Sequence, residues 1–401
     1  MGEQVNLTNV QDYHEKIVTW RRDLHQIPEL GLSLPKTIKY VCKALDNIGL
    51  SYDASYVDGN GISVIIEGEK DIENSDLVMG LRADMDGLPI VEETGLPFKS
   101  TNGNMHACGH DGHTSVLLGV ADYLHNHREL FGGTVKLIFQ PGEEYPGGAK
   151  PMIDEGVMKN PDVTRMMGFH IGHLDREIEP GKISYRTGPM MASMDRFQLT
   201  IIGKGFHAAY PENSHDPIIV ANQIISAFQT IKTRNIKATE ACVISVTHIE
   251  GGMNQNIIPD EVFIEGTVRT LNNNVRETIY QRMQEICEGM SLAFEVDIDF
   301  SYDFKYPPLI NDEKVTENCV QILKASLGEQ GVIEAKEPLM GGEDFAFFCE
   351  EVPSTFFFLA NPGFIEGSFH GHHHSKFDID ENQLILAFKA FVACTLDYLS
   401  E

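Results

Sequence analysis

The order of apolar segments, more than composition, limits what this chain can fold into. Short apolar runs without polar alternation occur at Ile62–Ile66, Leu77–Leu81, Val135–Phe139 and Met166–Phe169. Runs of this kind suit strands covered on both faces, as in parallel sheets layered by helices. Helix-length segments accompany them: Tyr13–His25 and Leu34–Ile48, broken around Pro28, and Gly112–His127 between the second and third runs. The alternation predicts an open α/β sheet.

After about residue 185 the pattern changes. A strand at Phe197–Ile202 is followed by a helix at Ile218–Ile231, strands at Cys242–Ile249 and Val262–Val268, a helix at Val275–Met290 and a strand at Phe294–Phe300. That β-α-β-β-α-β order is the ferredoxin-like signature. The α/β pattern then resumes with a helix at Glu313–Leu327, an apolar run at Thr355–Leu359 and a helix at Glu381–Leu399. The expected organisation is one α/β domain, residues 1–186 and 302–401, interrupted by a ferredoxin-like α+β insertion, residues 187–301. The length of 401 residues suits two such domains, at roughly 100–200 residues each.

Charge removes whole classes of function. With 31 Lys+Arg against 59 Asp+Glu the formal net charge is −28. Nucleic acid and anionic membrane surfaces are therefore not expected as partners, since both demand clustered cations. An anionic substrate would need a local cationic pocket working against the global field. The seven cysteines, odd in number and without a CxxC pair, suit reduced thiols in a cytoplasmic protein. The first twenty residues hold no apolar run suited to a signal peptide, and Asn6 breaks the myristoylation pattern that Gly2 would begin.

Four segments carry chemistry. Met105-His-Ala-Cys108-Gly-His110-Asp-Gly-His113 places thiol and imidazole two residues apart around Gly109, which permits the tight turn two ligands to one ion require. The run Val135–Gln140 ends in Pro-Gly and the adjacent carboxylates Glu143 and Glu144. Two like charges at a strand end repel, and a cation or a division of labour between ligand and general base relieves them. Met166–Phe169 leads into His170, and Phe369–Asp378 contains His370, His372, His373 and His374. In an open α/β sheet, ligands gather beyond the carboxyl ends of the strands. Thiolate, imidazole and carboxylate together suit a transition ion, and about five ligands suit two ions some 3.5–4 Å apart.

The chain resembles the amidohydrolase branch of the aminoacylase/carboxypeptidase superfamily of di-metal hydrolases. The resemblance rests on RRDLHQIPELG, LRADMDGLPI, MHACGHDGH, FQPGEE, GFH, GFHAAYP, NIIPD, GTVRTLN, MGGEDFAFF and HHSKFD, which run almost end to end. It implies a zinc-peptidase-like three-layer catalytic domain and a lid/dimerisation role for the insertion. Two divalent ions per subunit (Mn, Zn, Co or Ni) would be held by Cys108, His110, Glu144, His170 and one histidine of residues 372–374. The spelling of the last motif selects His373, and Cys108 takes the bridging place. Glu143 corresponds to the general base and Asp84 to a buried carboxylate behind the ligands. His207 corresponds to a histidine that polarises the scissile carbonyl. Asn256 and Arg269 correspond to positions near a substrate carboxylate, where a guanidinium fork fits well.

The implied reaction is hydrolysis of an N-acyl amino acid with an acetyl, benzoyl or similar small acyl group, by a soluble cytoplasmic homodimer or higher homo-oligomer. A dipeptidase or carboxypeptidase of the same superfamily is the alternative. Two further possibilities are a cysteine amidase using Cys108 with His110 or His113 as base, and a binding module that has lost its chemistry. The chain departs from the family in Pro211–His215, after the GFHAAYP proline, and in the Met-rich segment Pro189–Asp195.

Overall fold

The computed structural model describes residues 10–71 and 76–400; the expectation for Gly2 and Asn6 lies outside the described residues. In chain order the principal elements are α1 (Val10–His25), α2 (Pro35–Ile48), β1 (Tyr52–Ser55), β2 (Gly61–Glu67), β3 (Val78–Asp84), α3 (His110–Asn126), β4 (Thr134–Gln140), β5 (Arg165–Gly172) and β6 (Ile183–Tyr185). There follow β7 (Met194–Ile202), α4 (Pro217–Arg234), β8 (Cys242–Glu250), β9 (Glu261–Thr270), α5 (Asn273–Phe294) and β10 (Asp297–Tyr306). The chain closes with α6 (Glu313–Leu327), β11 (Val332–Glu334), β12 (Ser354–Ala360) and α7 (Leu384–Tyr398).

The chain forms two compact units. The first comprises residues 1–190, 310–337 and 344–401. Its eight-stranded sheet runs β1-β2-β4-β3-β5-β12-β6-β11. The central pairs β3–β4, β3–β5 and β5–β12 are parallel, as the unalternated runs predict. β3 and β12 are buried at every position, so both faces are covered. Helices α1, α2, α3, α6 and α7 contribute to one continuous core with the sheet. α3 is buried from His110 to Leu124, the polar residues of its first turn included, so their side chains must find partners inside the protein. Register places the site: Asp84 pairs with Gln140 and Arg82 with both Ile138 and Gly168. Strand ends carrying Asp84, Glu143–Glu144 and His170 therefore share one edge of the sheet.

The second unit comprises residues 191–309 and 338–343. Its antiparallel sheet runs β8-β9-β7-β10, with α4 and α5 packed on it around a separate core. In the unit's own count the strand order is 2-3-1-4, that of a ferredoxin-like fold. The last strand differs from the predicted one. α5 continues through Phe294 and ends on Glu295 in the left-handed conformation, and the strand starts at Asp297. It then runs on to Tyr306, continuing the alternation of Phe300 with Tyr302 and Phe304 past residue 301. Residues 338–343 join this unit because Leu339 and Gly341 carbonyls accept the Ala192 N–H.

Candidate metal centre

Four segments of the first unit converge at the carboxyl edge of the parallel strands. Cys108 and His110 stand on either side of Gly109, whose φ of +88° starts α3 and whose missing Cβ leaves room for the Ile171 carbonyl. Glu143 and Glu144 follow β4, and His170 lies near the end of β5. The fourth segment is brought in by its backbone: the His373 N–H donates to the Ala107 carbonyl at 2.8 Å, with His373 at φ +62°.

The side chains form two groups that share Cys108. Donor atoms of Cys108, His110 and His170 lie within 4.8 Å of one another, as do those of Cys108, Glu144 and His373. Cys108 Sγ is 3.4 Å from His170 Nε2, and His373 Nε2 is 3.0 Å from Glu144 Oε1. His170 Nδ1–H donates to the Ile171 carbonyl at 3.1 Å, so its Nε2 lone pair faces the thiol. Burial, and then the neighbouring His113, hold its pKa well below the usual histidine range.

The field in the cluster calls for a cation. Burial opposes charge on His110, yet Asp84, Asp86 and Glu144 outweigh it and push the imidazole up to about 10. His110 Nε2 is buried and makes no hydrogen bond among the described residues. The Cys108 thiol is pushed well above its ordinary range, first by burial and then by Glu144, Glu143 and Asp84. That is the opposite of the electropositive setting of a nucleophilic cysteine. A divalent transition ion fits this donor set: thiol, imidazoles and carboxylate, an unpaired ring nitrogen and an excess of negative charge.

Neighbouring histidines are accounted for differently. His113 Nδ1–H donates to Asp84 at 2.5 Å, and its Nε2 accepts the Ile171 N–H at 2.7 Å. Both nitrogens are spent, so Asp84 acts on His113 and supports the β5 backbone beside His170. Arg82 binds Asp84 at 2.8 Å and Asp344 at 2.7 Å, and Asp344 accepts the Gly148 and Ala149 N–H groups at 3.0 Å, bracing the loop after Glu144. His372 is half-buried, 3.4 Å from the Ile171 carbonyl, with the removal of its ring from water pulling its pKa down to about 4. His374 Nδ1 accepts the Lys376 N–H at 3.0 Å. Of the three neighbours, His373 is the one whose ring joins Glu144 and Cys108.

Sequence reasoning missed Asp86. Its carboxylate accepts the N–H groups of Glu143 at 2.9 Å and Glu144 at 3.1 Å and lies 3.4 Å from His110 Nδ1. The signal was the second acid of Asp84-Met85-Asp86 at a strand end, overshadowed by the first.

His207, Asn256 and Arg269 belong to the second unit. His207 is exposed in a short ladder that pairs Phe206–His207 with Ile257–Ile258, and the Asn256 carbonyl accepts the Ala208 N–H at 3.0 Å. These two are neighbours near the start of β9. Arg269 is half-buried at the far end of that strand, where its guanidinium donates to the Val268 carbonyl at 3.0 Å. From Glu261 to Arg269 the strand takes eight steps, roughly 26 Å at about 3.3 Å each.

An α/β sheet with Cys, His and Glu donors grouped around one thiol at its carboxyl edge defines a metallohydrolase of the dinuclear kind. The chain belongs to peptidase family M20/M25/M40, whose model matches residues 80–397. It is 37% identical over 380 residues to an N-acetylcysteine deacetylase of Bacillus subtilis, covering 94% of this chain and 96% of the relative. A thermostable carboxypeptidase 1 of Saccharolobus solfataricus is 37% identical, with 94% of each chain covered. Among solved structures, a Bacillus subtilis dinuclear metal-binding peptidase from the M20 family superposes with a TM-score of 0.81 at 32% identity, covering 97% of this chain and 99% of that one. Cys42, Cys108, Cys242, Cys287, Cys319 and Cys394 are free thiols, and among the described residues no helix is long and apolar enough to cross a membrane.

Proposed function

We propose that this metal-dependent amidohydrolase cleaves the amide bond of small N-acyl amino acids, with Glu143 as general base. The observation that carries the proposal is the sharing of Cys108 between two donor groups, with Glu143 beside them. Cys108, His110 and His170 would hold one divalent ion, and Cys108, Glu144 and His373 the other. Bound there, Mn, Zn, Co or Ni would supply Lewis acidity toward the scissile carbonyl and toward water. Glu143 takes the proton from the attacking water and returns it to the leaving nitrogen. Asp86 keeps that carboxylate in place through the backbone, and Asp84 supports β5 through His113.

In the second unit, His207 is the donor to the developing oxyanion with Asn256 beside it, and Arg269 receives the substrate carboxylate; because Asn256 lies at the opposite end of β9, it reaches that same carboxylate only from the other subunit of a dimer. The unit acts as lid and as dimerisation surface. Supporting this, β8 is an edge strand, and Phe206, Tyr210, Ile218, Ile249, Met253 and Ile257 are exposed apolar side chains. The free cysteines suit a cytoplasmic location. Carboxypeptidase action on small peptides is the alternative, favoured by likeness to the Saccharolobus enzyme.

The test is amine release from acetyl- and benzoyl-amino acids and from dipeptides by enzyme reconstituted with each metal. N-acyl amino acids should give the highest kcat/KM. Faster cleavage of dipeptides under every metal would transfer the assignment to the carboxypeptidase.

A further inference from the structure

α1 carries a buried guanidinium that the proposed chemistry does not use. Arg21 is 1% exposed and faces three carboxylates. Its Nε donates to Asp111 at 2.9 Å, one terminal nitrogen to Asp378 at 2.7 Å, and the other to Glu381 at 3.1 Å. Burying a guanidinium is costly, and only such close pairing offsets it. Its partners are neighbours of the ligand segments. Asp111 follows His110 directly, and Asp378 lies five residues beyond His373.

These contacts close a ring. From Ala107 the chain runs through Cys108 and His110 to Asp111, crosses the guanidinium to Asp378, and returns along the strap to His373. The His373 N–H then donates to the Ala107 carbonyl and completes it. The strap is pinned along its length: Phe377 N–H donates to the His374 carbonyl at 2.9 Å, Glu93 N–H to the Ser375 carbonyl at 2.8 Å, and Gly363 N–H to the Asp378 carbonyl at 2.9 Å. Phe377 and Ile379 are buried within it. At the Asp111 corner His25 adds a second brace, Nδ1 to Asp111 at 2.8 Å and Nε2 to Glu92 at 3.2 Å.

We propose that Arg21, through Asp378, is a positioning residue that sets the place of His373 relative to Cys108 and Glu144, and so the affinity of that group for its ion. The proposal rests on Cys108, Glu144 and His373 being a metal group. A lysine in place of Arg21 keeps the charge but has no planar fork, so it cannot reach Asp111, Asp378 and Glu381 together. Loss of such an outer partner typically lowers metal affinity about 10–100-fold.

The experiment is Co²⁺ titration of the metal-free full chain, followed by calorimetry and by the thiolate-to-cobalt absorption band, for the native protein, Asp378→Ala, Asp378→Asn and Arg21→Lys. Native protein should take two equivalents. Asp378→Ala should bind one of them about 10–100-fold more weakly and the other unchanged. Asp378→Asn, which keeps an acceptor for the guanidinium, should recover part of the loss and guards against failure of the alanine variant to fold. Arg21→Lys, which also loosens the Asp111 corner, should weaken both. Two equivalents at native affinity in folded Asp378→Asn and Arg21→Lys, with only a lower Tm, would overturn the proposal and leave a purely structural ion pair. A native chain that binds fewer than two equivalents would overturn the metal assignment itself, and the positioning role with it.

Discussion

Asp86 provides the sharpest quantitative test of how the general base is held. One carboxylate, 1% exposed, accepts two consecutive backbone N–H groups, from Glu143 at 2.9 Å and Glu144 at 3.1 Å. Asp86→Ala leaves both donors without their partner, and a buried donor so stranded costs about 1–3 kcal/mol, giving roughly 2–6 kcal/mol in all. Asp86→Asn keeps one carbonyl oxygen but presents an amide N–H to the other donor, so about 1–3 kcal/mol is lost. Removing the acid also takes away one of the charges that keep His110 protonated in the metal-free chain. Urea unfolding of the metal-free protein isolates these effects, because bound metal would otherwise add its own linkage. The expected order of midpoints is native, then Asn, then Ala. Activity should fall further than stability, since a shift of about 1 Å in the base costs some 100-fold. An Asp86→Asn protein within about 0.5 kcal/mol of native, turning over at a native rate, would refute the clamp.

Glu143→Ala should lower turnover by about 100–10,000-fold while the chain still binds two equivalents of metal, measured by elemental analysis; native turnover would remove Glu143 from the role of base. Cys108→Ala should lose metal from both groups as well as activity, and a fully metallated, active variant would exclude the thiol as a shared ligand. The His25 imidazole faces Asp111 and Glu92. Burial opposes its charge, but Asp111 and Glu92 together outweigh it and raise its pKa above the ordinary value. Its contribution to stability is then complete below about pH 6.5 and fades as pH rises through the folded-state value. The Tm difference between native and His25→Gln, in chelator, should therefore be larger near pH 6 than near pH 9; a difference that grows with pH would contradict the buried imidazolium.

Much of this architecture is legible in the sequence because it is local. Unalternated runs mark β3, β4, β5 and β12, since strands covered on both faces have no polar side to show. β6 and β11, three residues each, are too short to display any period. The boundary at Phe294 failed for a related reason: an apolar residue ending a helix resembles one beginning a strand until Glu295 turns the backbone. Among the histidines, residue type does not separate His372, His373 and His374. The backbone does, by turning residue 373 to positive φ and binding its N–H to Ala107. Arg21 and Asp378 are 357 residues apart, and no periodicity reports a contact at that separation.

Two buried arginines show how a strongly acidic chain holds a metal site together. Asp86, Cys108, Glu143 and Glu144 crowd one strand edge, where a nearby guanidinium would compete with the divalent ions for the same charge. Arg82 instead pairs with Asp84 and Asp344, and Arg21 with Asp111, Asp378 and Glu381. Asp111 adjoins His110, and Asp344 grips the loop after Glu144 at Gly148 and Ala149. Fixed positive charge thus acts one step behind the donors and stiffens the segments that carry them. The negative charge facing the centre is left for the cation, which is why Glu144 leans on His373 and His110 is driven toward protonation in the metal-free chain.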